Sequence, residues 1–247
     1  MPFRPLVLCY HAVSDRWADP LAVGPDAIER QLKILMRAGF RPEPADAVLA
    51  NRRRALHVTF DDAYMNVLAA VPVLERLGVP ATVFACSDYA EDGRPLDVPE
   101  LRERRGRHPE ELATMPWETL RALAGRGLEI GSHTATHPHL PQLSDAELAA
   151  ELGGSRDRIE DELGGPCRFL AYPYGHDDAR VHAAARAAGY TAAYTLRGRR
   201  RGLDLHALPR VDIYRGDGTA RFAAKVSPLR GPALMARDAI AAARRRH

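Results

Sequence analysis

Two successive aspartates, Asp61 and Asp62, close the apolar stretch Leu56-His57-Val58-Thr59-Phe60. A carboxylate at the end of a buried strand is costly unless it is paired or bound to a cation. Adjacent residues at a strand end point in different directions, so one carboxylate can bind a metal while the other faces a water beside it. Asp also suits the N-cap of a following helix, and for the pair alone both readings stand. Further on, His133 and His137 have a spacing that puts two imidazoles on one side of a helical turn, as zinc sites require. Thr134 stands where the H-E-x-x-H metalloprotease motif needs Glu, which excludes that motif. With Asp62 the set becomes Asp-His-His. Three protein ligands leave a position open for water, the signature of a catalytic rather than a structural site.

Such a site needs elements that bring distant residues together. Short apolar runs predict strands at Leu6–Cys9, Leu56–Phe60, Ala81–Ala85, Leu128–Gly131, Arg168–Ala171 and Thr191–Thr195, with a weaker one at Leu208–Ile213. Helical patterns fill the gaps. Ile28, Leu32, Leu35 and Met36 share a face, as do Val67, Leu68, Val71, Leu74 and Leu77. Helices are also predicted from Pro116 to Ala124 and from Asp178 to Ala188. Ser144 and Glu147 make a capping box for a helix running to Leu163. Strict alternation with strands apolar on both faces predicts an α/β fold, a distorted (β/α) barrel of about seven parallel strands with helices outside. An open doubly wound sheet is the second choice. Tyr10-His11, Asp61-Asp62, His133 and Tyr172-Pro173-Tyr174-Gly175 each fall at the carboxyl end of a different predicted strand. In a parallel barrel those ends share one rim, where active sites are built.

The chain is expected to be a single domain, 1–247. A charged insertion at about 91–116 reads as a lid or substrate loop, and an Ala/Arg-rich helix as occupying about 233–246. There are 35 Lys+Arg against 32 Asp+Glu, a net charge of +3, and 46% of residues are hydrophobic; this excludes a disordered, collagenous or coiled-coil chain. No membrane span or signal peptide is visible, so the expected location is cytoplasmic. Cys9, Cys86 and Cys167 are far apart in apolar runs and read as reduced, partly buried residues. The Arg clusters, among them Arg197–Arg201 and Arg244–Arg246, lack interleaved aromatics, so no nucleic-acid partner is expected. Weak contact with an anionic membrane surface is compatible with them, and no obligate protein partner is predicted.

Thr59-Phe60-Asp61-Asp62, His133-Thr134-x-x-His137 and Tyr172-Pro173-Tyr174-Gly175 resemble the first three motifs of the polysaccharide deacetylase family, metal-dependent carbohydrate esterases of the NodB-homology type. The resemblance runs from about Leu6 to Phe222 and implies a distorted barrel. It implies that Asp62, His133 and His137 hold a divalent metal, most often Zn²⁺, with Co²⁺, Ni²⁺ or Mn²⁺ as alternatives. It implies that Asp61 is the general base for a metal-bound water, and that a backbone N–H next to Tyr174 faces the oxyanion, with Pro173 in the same motif; His139, which follows Pro138 close to the ligand pair, is expected to line the pocket.

Three departures stand out. Ala63 replaces the Gly that commonly ends the first motif. Ala171 stands where many members have an Arg that pairs with the base, and Arg210 resembles the Arg of a subgroup lacking it, which would orient Asp61 from a later strand. The Leu-His motif that usually supplies the general acid is missing, and His206, in a polar loop, substitutes poorly. His11 resembles an early Tyr-His of members with rearranged motifs and is the candidate acid. His57, His108, His176, His182 and His247 read as surface or packing residues, and Trp17, Tyr89 and Trp117 as core or loop packing.

The expected function is hydrolytic removal of an N-acetyl group from an amino sugar or amino-sugar-containing glycan. A non-catalytic carbohydrate-binding descendant of the fold, or a deformylase of a lipid-linked amino sugar, is the alternative.

Overall fold

The computed structural model describes residues 5–196 and 204–227. The Arg197–Arg201 and Arg244–Arg246 clusters and the helix expected at about 233–246 lie outside the described residues. The strands are β1 (Leu6–Tyr10), β2 (Arg41–Pro42), β3 (Ala55–Phe60), β4 (Ala81–Ala85), β5 (Glu129–Ser132), β6 (Phe169–Ala171), β7 (Ala192–Thr195), β8 (Leu208–Pro209) and β9 (Val211–Asp212). The helices are α1 (Pro25–Arg37), α2 (Ala45–Leu49), α3 (Val71–Leu77), α4 (Arg102–Arg107), α5 (Trp117–Gly125), α6 (Asp145–Ala149), α7 (Ser155–Leu163), α8 (Ala179–Ala187) and α9 (Thr219–Val226). The sheet order is β8-β7-β6-β5-β4-β3-β1-β9, with β2 beside β3, and every pairing is parallel. This is a distorted (β/α) barrel, nearly closed, with helices around it.

All residues of β3, β4, β6 and β7 are buried, because helices cover one face and the barrel interior fills the other. Each buried Leu, Val or Phe stabilises the fold by roughly 1.5–3 kcal/mol. Two polar residues of β3 show how the core satisfies such groups. His57 places Nδ1 3.0 Å from the Glu43 carbonyl and Nε2 2.9 Å from Thr82 Oγ1. Thr59 donates its hydroxyl to the Leu8 carbonyl at 2.8 Å. The capping box forms: Glu147 N–H donates to Ser144 Oγ, and the Glu147 carboxylate accepts the Ser144 amide.

The last expected strand, Leu208–Ile213, is two strands. β8 follows β7, with Tyr194 opposite Leu208, and β9 follows β1, with Leu8 opposite Val211. The chain changes neighbours at Arg210, whose amide donates to the Thr195 carbonyl at 3.0 Å. A single five-residue stretch thus reaches both open edges of the sheet. The expected helix Val67–Leu77 is a 3-10 turn, Met65–Ala70, followed by α3. Pro72 lacks the N–H that a continuous α-helix would bond back to Leu68. The insertion at 91–116 is no free loop. Leu96, Leu112 and Met115 are fully buried, and antiparallel bridges join Pro95 to Ala113 and Tyr64 to Thr114. Among the described residues no helix is long and apolar enough to cross a membrane.

Candidate functional site

The chain turns sharply where it leaves β3, β5 and β6. Seven described non-glycine residues have left-handed backbones, and five of them are here: Asp62 (φ 66°), Ala63 (47°), Thr134 (71°), His137 (65°) and Tyr174 (59°). Each such residue costs roughly 1–2 kcal/mol, and that strain persists where the surroundings over-determine it, typically at functional sites. Ala63 carries its side chain in a conformation that a Gly would adopt freely.

These turns bring Asp62, His133 and His137 together. Asp62 Oδ1 lies 3.4 Å from His133 Nε2 and 3.3 Å from His137 Nε2, and the three ligand atoms fall within 4.8 Å of one another. All three residues are buried. His133 and His137 do not share a helical turn as their spacing predicts: they flank an irregular loop, and the left-handed residues Thr134 and His137 turn both rings inward. His133 Nδ1 donates to the Ala171 carbonyl at 2.8 Å, which leaves Nε2 with its lone pair facing Asp62. Burial presses the His133 imidazolium down to about 4 against the pull of the nearby carboxylates, so the ring is neutral near pH 7, the form a metal requires. Burial pushes the Asp62 carboxyl up, but the His137 and His133 imidazoles beside it win and hold it below its usual range.

Beside this group stands a second. Arg210 grips Asp61 with both prongs, Nη1 to Oδ1 at 2.5 Å and Nη2 to Oδ2 at 2.7 Å, and Nη1 also donates to Thr59 Oγ1 at 3.1 Å. The Phe84 and Tyr194 rings lie 5.5 and 5.8 Å from the guanidinium carbon. Cys9 Sγ donates to Asp61 Oδ2 at 3.4 Å, and His11 joins Cys9 and Asp61 within 4.8 Å. Burial raises the Asp61 carboxyl, yet Arg210 foremost, with the His133 and His11 imidazoles, lowers it to about 2. Burial likewise pushes the Cys9 thiol well up, so it stays protonated and donates. All three described cysteines are free and buried.

The rim above the ligands is a row of rings. Tyr174, set by Pro173 in the tight turn after β6, meets His137 edge-on at 4.7 Å. His139 stacks on Tyr174 at 4.1 Å, and His176 on His139 at 5.3 Å. Glu100, from the insertion, accepts from His139 Nε2 at 3.0 Å and from the Tyr174 hydroxyl at 2.9 Å. His176 therefore belongs to this rim rather than to plain surface. Trp17, Tyr89 and Trp117 are buried packing residues. His206 is a structural residue whose Nε2 pairs with the Tyr190 carbonyl, before β7 and at the opposite strand end from the rim. Glu100 and the Cys9 contact escaped sequence reading: Glu100 sits in a charged stretch without periodicity, and a Cys in an apolar strand reads as core.

The polysaccharide deacetylase family matches residues 49–193, which spans β3 through β6, enters β7 and includes every residue of the Asp-His-His group. The chain belongs to the polysaccharide deacetylase family. Over 239 residues it is 25% identical to YxkH of Bacillus subtilis (strain 168), provisionally named a polysaccharide deacetylase, covering 93% of this chain and 78% of that one. Among solved structures, a polysaccharide deacetylase from Bacillus cereus superposes with a TM-score of 0.73 at 24% identity, covering 92% of this chain and 70% of that one. IcaB from Ammonifex degensii superposes with a TM-score of 0.74 at 25% identity, covering 91% and 97%. The family carries an esterase or amidohydrolase role, and the Asp62-His133-His137 group is able to hold a metal ion.

Proposed function

We propose that this polysaccharide deacetylase is a metal-dependent hydrolase that removes an N-acetyl group from an amino sugar or an amino-sugar-containing glycan. One observation carries the reading: Asp62 Oδ1 is buried without a hydrogen-bond partner, while two imidazole Nε2 atoms converge on it. A buried carboxylate oxygen in that state is costly, and a divalent cation between the three atoms would relieve it. Two imidazoles and one carboxylate form a donor set that suits zinc. Asp62, His133 and His137 would therefore hold the ion. When bound, it supplies Lewis acidity, lowering the pKa of water to about 7 and polarising an acyl oxygen.

The chain's own groups supply the rest. Asp61, ionised and held by Arg210, keeps Oδ2 3.9 Å from His133 Nε2, adjacent to the ligand group, and accepts the proton of the attacking water. Arg210 fixes the carboxylate's orientation from outside the reacting atoms. His11, on the same rim, donates a proton to the leaving amine. The Tyr174 amide would serve the developing oxyanion, and the stacked Tyr174 and His139 rings, the first carried by the turn that Pro173 opens, would form the wall against which the sugar lies.

The reading is tested by acetate release from a panel of N-acetyl amino sugars and their oligomers, with N-formyl analogues alongside. Release abolished by a chelator and restored by added zinc is the expected result. Release that ignores the chelator, or none from any member of the panel, overturns the reading.

A further inference from the structure

The loop from His133 to His137 has a complete set of amide partners, and two of the five lead to one side chain. His133 N–H donates to the Ala85 carbonyl at 2.8 Å. Thr134 N–H donates to Ser132 Oγ at 3.0 Å, and His137 N–H to Thr134 Oγ1 at 3.1 Å. The two in the middle, Ala135 and Thr136, both donate to Glu151 Oε2, at 2.9 and 3.0 Å. The Thr136 hydroxyl adds a bond to Glu151 Oε1 at 2.6 Å. Glu151 thus binds the apex of the loop with both carboxylate oxygens, and bonds to an ionised acceptor are the stronger kind.

The location of Glu151 is unusual. It lies in a π-turn, Ala150–Gly154, inserted between α6 and α7, and wide turns of this type recur at functional sites. Just past that turn, Ser155 Oγ lies 2.8 Å from Ser132 Oγ, the acceptor of the Thr134 amide. The same helix therefore holds the loop twice, directly through Glu151 and by relay through Ser155 and Ser132. Glu151 is only half-buried, so its removal forfeits little packing.

We propose that Glu151 is a positioning residue that holds the His133–His137 loop in its strained conformation and thereby sets the affinity of the site for a divalent cation. This rests on the reading of Asp62, His133 and His137 as metal ligands. Groups that orient metal ligands from behind are worth about ten- to hundred-fold in metal affinity.

The test measures zinc affinity of the full chain by competition with a chromophoric chelator, and thermal unfolding of the metal-free chain, for wild type, Glu151→Ala, Glu151→Gln and Ser144→Ala. Glu151→Ala is expected to weaken zinc binding about ten- to hundred-fold. Glu151→Gln, which keeps one carbonyl acceptor, is expected to fall between it and wild type. Ser144→Ala breaks the capping box of the same helix and is expected to lower the unfolding temperature without changing zinc affinity. If both Glu151 variants bind zinc as wild type does, or if Ser144→Ala weakens binding equally, the inference is overturned while the ligand assignment stands. A wild-type chain that binds no zinc overturns the ligand assignment and this inference with it.

Discussion

Arg210 and Asp61 form a two-pronged ion pair across 149 positions of sequence, with both side chains buried. Arg210 is also the residue at which the chain passes from β8, beside β7, to β9, beside β1. The residue that orients the candidate base therefore sits at the junction of the two edge strands. Ala171, at the position of the third-motif Arg, packs in the same apolar cluster as Phe84 and Tyr194, whose rings flank the Arg210 guanidinium.

Replacing Arg210 with Met leaves a buried carboxylate without its counter-ion. We expect a loss of about 3–5 kcal/mol in denaturant unfolding, most of it regained in the Arg210→Met/Asp61→Asn double variant. The acid dependence reverses as well. In wild type the ionised Asp61 contributes stability above the ordinary carboxyl value of 3.8, and this fades as pH falls towards about 2. Without Arg210, burial raises the carboxyl, and acid then narrows the stability gap. A single variant as stable as wild type would contradict the pairing.

Burial holds the His57 imidazolium down to about 4 from 6.5. Between those values the unfolded chain takes up a proton that the folded chain refuses. The resulting stability is complete above about 6.5 and declines as pH falls towards 4, with a slope of up to about 1.4 kcal/mol per pH unit for one proton. His57→Gln should flatten the metal-free unfolding profile in that window, leaving the parts due to His133 and His206, whose imidazolium forms burial also disfavours. An unchanged slope would show that His57 is not the group refusing the proton.

Much of this molecule is legible in the chain. The strand ends carrying Asp61-Asp62, His133 and Tyr172-Pro173-Tyr174-Gly175 announce themselves because apolar runs stop at polar residues, and parallel alternation puts those stops on one rim. Arg210 gave a weaker signal, since nothing local to Leu208–Ile213 says that the segment serves two strands. The helical placement of His133 and His137 failed because spacing alone does not reveal that Thr134 and His137 are left-handed. Glu100 and Glu151 were invisible: each sits in a charged stretch, and each acts on a loop many positions away. Carboxylates of that kind carry no periodicity and gain meaning only in three dimensions.

Gly175 tolerates no side chain. Its φ is +62°, and an added Cβ would meet the Leu196 Cβ at 2.4 Å and the Leu196 amide nitrogen at 2.7 Å. Gly175→Ala is expected to cost more than the roughly 1–2 kcal/mol of the left-handed backbone alone, because the clash with backbone adds to it. It should also displace Tyr174 and slow acetate release. A variant that unfolds at the wild-type denaturant midpoint would contradict this packing.

Glu100 holds the Tyr174 hydroxyl and His139 from a partly exposed position, so its bonds are worth about 1 kcal/mol rather than the larger value of a buried pair. Steady-state kinetics of Glu100→Ala should show KM raised by up to about fivefold with kcat changed less and metal content unaltered. A fall in kcat at constant KM would place Glu100 in the chemical step instead of the sugar wall.

The most direct test compares two neighbouring carboxylates by measuring bound zinc and released acetate on the same preparations. Asp61→Asn should retain about one zinc per chain and lose hydrolysis, whereas Asp62→Asn should lose both, as three-ligand catalytic sites require. Full zinc occupancy in Asp62→Asn, or wild-type acetate release in Asp61→Asn, would contradict the division of labour between ligand and base.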